Sequence, residues 1–207
     1  IFKMDTKNLS ASISDDAAKN ILESYNRHGK SFIELLTDKS DKVYKVRFNF
    51  LMSADERFFG MGERYSHMEY RGLDIDNCVY NQYSDQELRT YIPVPFAISS
   101  KGYGIFINTS MYSTFRFGTR LSDLLEIEVD IQKDKQTTDV FVFTGNPKEI
   151  LNSFTKITGK PKLPPKWVFG PWMSSHNWDS QAETCKQVEL TKIHKIPATV
   201  LVLEQWS

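Results

Sequence analysis

Apolar and polar residues alternate in short runs over most of the chain, then give way to longer apolar runs near its end. Val43-Tyr44-Lys45-Val46-Arg47-Phe48-Asn49-Phe50, Leu125-Glu126-Ile127-Glu128-Val129-Asp130-Ile131 and Asp139-Val140-Phe141-Val142-Phe143 keep a period of two. That period turns successive side chains to opposite faces, so each run predicts a strand with one apolar side. Gly104-Ile105-Phe106-Ile107 and Ser113-Thr114-Phe115-Arg116-Phe117 read the same way, separated by Asn108-Thr109-Ser110. Together they predict a mainly β chain whose region from about Phe32 to Phe143 is an antiparallel β-sandwich. Asp15 to Tyr25 reads as a short helix or an insertion. Asp74 to Thr90 is polar and too long for a hairpin turn. It is either a binding loop or a solvated excursion.

Pro147 to Ile157 changes period. Asn146 is a cap candidate, Pro147 suits a first helical position, and Ile150, Leu151, Phe154 and Ile157 fall at helical spacing. The predicted helix leads into Gly159-Lys160-Pro161-Lys162-Leu163-Pro164-Pro165, where the prolines can continue neither a helix nor a central strand. A domain boundary is therefore expected near residue 160. Beyond it come an apolar run, Trp167 to Met173, a helix start at Asp179-Ser180-Gln181-Ala182-Glu183, and a second apolar run, Ile196 to Leu203. Continuous apolar runs around a helix predict a β-α-β unit with buried parallel strands, the opening of a (β/α)₈ barrel truncated at residue 207. Such a barrel needs roughly 250 residues and does its chemistry at the C-terminal ends of several strands. Two strands cannot complete that site.

Composition narrows the partners. Among 207 residues Lys+Arg and Asp+Glu balance at 26 each, which gives no electrostatic case for nucleic acid or an anionic membrane. No apolar stretch approaches the ~20 residues of a bilayer span. Cys78 and Cys185 fall in a predicted loop and a predicted helix of different domains, so two free thiols are expected. His28, His67, His176 and His194 are dispersed without metal-ligand spacing, and no cofactor is expected. Ile1 in place of an initiator methionine suggests that the natural N-terminus lies upstream. The compartment stays unknown, a cytoplasmic one being slightly favoured over a secreted one, and the oligomeric state is unknown.

Three ordered blocks carry a likeness. They are Phe59-Gly60-Met61-Gly62-Glu63-Arg64 with Arg71-Gly72; Tyr91-Ile92-Pro93-Val94-Pro95-Phe96 with Ser99-Ser100-Lys101-Gly102-Tyr103-Gly104; and Leu163-Pro164-Pro165-Lys166-Trp167 with Gly170 and Ile196-Pro197. In order and spacing the chain resembles the N-terminal portion of glycoside hydrolase family 31, the α-glucosidases, α-xylosidases and their relatives, over about residues 58 to 207. The resemblance implies a galactose-mutarotase-like sandwich before a catalytic barrel, with a sandwich loop reaching the sugar. It also implies a retaining α-glycosidase, with α-glucoside as the default substrate. A retaining enzyme needs two carboxyl groups about 5 to 5.5 Å apart. In the family both are aspartates on later barrel strands, so no residue of this chain is expected to be nucleophile or general acid, and the chain alone is expected to be inactive.

Candidate substrate contacts remain. Glu204 ends the second predicted barrel strand, where a carboxylate can accept two hydrogen bonds from neighbouring hydroxyls; its plainer reading is a carboxylate on local backbone amides. Family members carry Asp in the similar place, and Glu204-Gln205-Trp206 is closer to the sulfoquinovosidase branch. Trp206 and Trp172 could stack on sugar rings or pack the core. His176 lies in the first predicted β-to-α loop, the barrel end that carries sites. Asp85, Glu87 and Arg89 are the loop candidates. Glu63, Arg64 and Arg71 read instead as internal ion pairs organising a sandwich edge. The competing class is a non-catalytic carbohydrate-binding sandwich, which leaves the barrel opening unexplained.

Overall fold

The computed structural model describes residues 2–5, 10–13, 29–81, 84, 86–131, 137–175 and 177–203. The Asp15–Tyr25 segment lies outside these. In chain order the strands are β1 (Phe2–Asp5), β2 (Ser10–Ile13), β3 (Ile33–Thr37), β4 (Val43–Leu51), β5 (Phe58–Glu63), β6 (Asp74–Asn77), β7 (Ile92–Ser99), β8 (Tyr103–Asn108), β9 (Ser113–Phe117), β10 (Leu124–Asp130) and β11 (Thr137–Thr144). Helix α1 (Pro147–Thr158) follows, then a 3₁₀ turn (Lys166–Phe169), β12 (Trp172–Ser174), α2 (Gln181–Ile193) and β13 (Val200–Val202). The chain divides into two compact units, Ile1–Gly159 and Lys160–Ser207.

The first unit is a sandwich of two antiparallel sheets, ordered β2-β1-β11-β8-β7-β5 and β3-β4-β10-β9-β6. Period two supplies its interior: Val46, Phe48 and Phe50 of β4 stand beside Val129, Ile127 and Leu125 of β10, and all six are buried. Ile105 and Ile107 of the other sheet join the same core cluster. At roughly 1.5 to 3 kcal/mol per buried aliphatic or aromatic side chain, this cluster is the main stabilising term.

The opposite face of the five-stranded sheet is polar yet largely withdrawn from water. Glu128 lies 2.7 Å from Arg47 and 3.0 Å from Arg116, and Lys30 lies 3.0 Å from Glu126, which is wholly buried. Arg47 also reaches Glu34 at 2.9 Å. Burial alone would raise the Glu128 carboxyl, but the hydrogen bond from Arg47 and the charge of Arg116 outweigh it and hold it below the ordinary carboxylate range. The acidic residues of β10 thus form the middle row of an ion-pair lattice across four strands, β3, β4, β10 and β9.

Helix α1 closes the outer face of the six-stranded sheet. Asn146 caps it, its side chain accepting from the Lys148 and Glu149 amides while the Glu149 carboxylate accepts from the Asn146 amide. Phe154 stacks on Phe96 at 4.1 Å between centroids, and Ile150 is fully buried among Phe96, Phe106, Phe141 and Phe143. A Cβ on Gly104 would stand 2.7 Å from the Ile150 side chain, so only glycine lets the helix approach so closely.

The second unit contains a parallel pair, Trp172 beside Val200 through Ser174 beside Val202, joined by α2. Ser180 caps α2 by accepting from the Glu183 amide. Among its described residues no apolar side chain is fully buried; Leu163, Phe169, Ile193 and Leu203 are exposed. The sequence expectations need correction here. Lys166–Phe169 forms a 3₁₀ turn in which Trp167 is 53% exposed, so the first apolar run supplies a strand only from Trp172 onward. Only Val200–Val202 of the second apolar run pairs, because β12 offers just three residues.

Candidate functional site

The segment linking β6 to β7 carries the loop candidates Glu87 and Arg89, and its placement begins in β5. Pairing between β5 and β7 shifts register between Gly60 and Gly62, a bulge centred on Met61, which has a positive φ of 64° and is fully buried. Gly62 has φ 87°, and a Cβ there would lie 2.1 Å from the Ile92 carbonyl oxygen. The Gly-Met-Gly sequence therefore permits a bend that throws Arg64 across the sandwich end.

Arg64 donates from Nε to the Met61 carbonyl at 3.0 Å, from Nη2 to the Asp76 carbonyl at 2.9 Å, and from Nη1 to the Leu88 carbonyl. Withdrawal from water pulls the guanidinium below its usual value, with the charges of Tyr70 and Asp76 opposing. It stays cationic. The Arg71 guanidinium also donates to backbone, to the carbonyls of Ser53, Glu56 and Ser122. Neither arginine forms an ion pair among the described residues. Both organise the sandwich through backbone carbonyls, which corrects the expected ion pairs while keeping the structural role.

The loop is shorter than expected. Asp74–Asn77 is strand β6, with Ile75 buried opposite Phe115, so the loop proper is residues 78–91. Its limbs are tied together: Val79 bridges Thr90, the Tyr80 amide donates to the Thr90 carbonyl at 2.9 Å, and the Arg89 guanidinium lies 3.7 Å over the Tyr80 ring. The Thr90 hydroxyl donates to the Glu63 carbonyl, and the Leu88 side chain packs on the sandwich core. Between the limbs, the Arg89 amide donates to the Gln86 carbonyl at 2.8 Å, and Glu87 takes a φ of 51° at this turn. Glu87 and Arg89 are both exposed there. A carboxylate and a guanidinium on one fixed turn can accept from and donate to neighbouring hydroxyls. Bond cleavage requires a carboxyl pair, which the turn does not supply.

The other sequence candidates fall elsewhere. Asp85, His176, Glu204 and Trp206 lie outside the described residues. Trp172 opens β12, and its indole N–H donates to the Val168 carbonyl at 2.9 Å. Its ring lies 6.4 Å from that of Trp167. Cys78 and Cys185 are free and exposed. Among the described residues no group of three His, Cys, Asp or Glu could hold a metal, and no helix is long and apolar enough to cross a membrane.

Residues 2–115 match the Glycosyl hydrolase 31 N-terminal galactose mutarotase-like domain. The chain belongs to glycoside hydrolase family 31. It is 39% identical to an isomaltosyltransferase from Sporosarcina globispora over 93% of its own length and 18% of that protein. Among solved structures it is similar to the cycloalternan-forming enzyme of Listeria monocytogenes in complex with a pentasaccharide substrate, at TM-score 0.77 and 38% identity. That match covers 85% of this chain and 17% of the other. A cycloalternan-degrading enzyme from Trueperella pyogenes in complex with isomaltose gives TM-score 0.77 and 32% identity, covering 86% and 26%. The chain spans about a fifth of the length of the curated relatives it matches.

Family-31 membership puts the first two sequence blocks in context. The glycine pair of the first permits the bulge. In the second, the Ser99 and Tyr103 hydroxyls both donate at 2.5 Å to Glu56, a buried carboxylate that also accepts from the Ser53 amide. The described residues of these two family-31 blocks hold the sandwich together.

Proposed function

We propose that this chain is the N-terminal region of a retaining α-glycosidase or a glycosyl-transferring relative. Residues 1–160 would be the sandwich with its linking helix, and 161–207 the start of the catalytic (β/α)₈ barrel. The observation that carries the reading is the parallel β12-α2-β13 unit beyond the proline connector. A free-standing sugar-binding sandwich has no use for a parallel pair, whereas a βαβ unit is the repeating element of that barrel. Both catalytic aspartates then lie on later strands, and the isolated chain is inactive.

The substrate is an α-linked gluco-oligosaccharide, with isomaltosyl units the first choice over plain α-glucosides. The isomaltosyltransferase and the two cycloalternan enzymes support that choice. Glu204, Trp206 and His176 are proposed to contact the sugar from the barrel, and Asp85, Glu87 and Arg89 from the loop 78–91. Trp172 is the weakest of the set, because its indole N–H is already engaged with Val168.

The test is a product analysis of the complete enzyme with isomaltose-containing oligosaccharides, aryl α-glucoside, aryl α-xyloside and a sulfoquinovoside, the 207-residue chain serving as control. Turnover by the complete enzyme alone, with transfer or release of isomaltosyl units, is expected. Turnover by the 207-residue chain, or silence of a folded complete enzyme across the panel, would sink the proposal.

A further inference from the structure

We infer that Arg64 is a positioning residue for substrate recognition, acting through the turn at residues 86–89. The inference rests on the reading above, in which Glu87 and Arg89 meet the sugar.

Three segments converge on this one side chain. Met61 belongs to the buried bulge of β5, Asp76 to the end of β6, and Leu88 to the returning limb of the loop. A planar guanidinium carries donors in several fixed directions, so it can serve three carbonyls that do not share a centre. A lysine ammonium carries its donors on one atom and cannot span them. Leu88 stands between the two exposed candidates, so holding its carbonyl fixes the backbone on both sides. Other ties act on the same limb: Thr90 on Glu63, Arg89 on Tyr80, and the Leu88 side chain on the core. Without Arg64, the link from Leu88 to the β5 bulge is lost while those at residue 90 remain. The turn would then move about a neck that stays closed.

Because Arg64 touches backbone and not the reacting atoms, its loss should appear chiefly in KM.

The experiment compares Arg64→Met, Arg64→Lys and the double variant Glu87→Ala/Arg89→Ala in the complete enzyme, well below its unfolding temperature. Amide hydrogen exchange is followed in parallel. Expected for both Arg64 variants are faster exchange confined to residues 86–89, unchanged exchange in β8, β10 and β11, and a KM raised about 10-fold or more with kcat within about 2-fold. Arg64→Lys keeps the charge and stem, so it carries the test if Arg64→Met does not fold. Unchanged exchange in the loop overturns the clamp. Faster exchange with unchanged KM overturns the positioning role: if the Glu87/Arg89 double variant raises KM, the loop reading survives without it, and if that variant is silent too, the loop reading falls with it.

Discussion

Glu128 shows how far a single side chain can depart from its sequence appearance. In an alternating strand it occupies a polar position, yet it is buried between Arg47 and Arg116. Its carboxyl is held below the ordinary value, so the ionised form is favoured in the folded state more than in the unfolded one. Stability from this group is complete above the unfolded carboxylate pKa, about 4.3. It is lost as pH falls through the lower folded value. Glu128→Gln should destabilise the sandwich by about 2 kcal/mol at pH 7, since Arg47 and Arg116 each lose one charged partner while Glu34 and Asp74 remain. Urea melts between pH 3 and 7 check this: the variant should lose less stability on acidification than the parent chain. Parallel pH profiles would show that Glu128 is not the titrating group.

At the scale of elements, the local signals divide into two kinds. Caps are written in neighbouring residues, and α1 begins where Asn146, Pro147 and Glu149 indicate. Asn146→Ala should cost about 1 kcal/mol, read as a lower thermal midpoint with fraying at the helix start. Strand β6 is of the other kind. Asp74-Ile75-Asp76-Asn77 has one apolar residue and looks like loop. It becomes a strand because Ile75 finds Phe115 while Asp74 and Asp76 face Arg116 and Thr114. The terminal run is the reverse case: Ile196 to Leu203 is apolar but for Thr199, yet pairs over three residues, matching the length of β12.

For the whole molecule, the two units differ in how much they bury. The first has an extended core and a second aromatic cluster beneath α1. The second has no fully buried apolar side chain among its described residues. A two-stranded sheet is marginal alone. Limited proteolysis of the 207-residue chain should therefore cut first within residues 160–207 and leave a resistant sandwich. Initial cleavage inside β4, β8 or β10 would contradict this ordering.

The sequence by itself determined the period-two faces of the sandwich, the capped helix, the proline connector and the β-α-β order, because each depends on residues within a few positions of one another. It also placed Glu87 and Arg89 in a loop, since polar runs between strands have nowhere else to go. Only the tertiary structure decided that Arg64 grips the carbonyls of Met61, Asp76 and Leu88, and that Glu128 lies between two arginines. Those partners are far apart along the chain and are brought together by sheet register and by the β5 bulge. Periodicity is a local property, and it carries no record of which distant strand will become a neighbour.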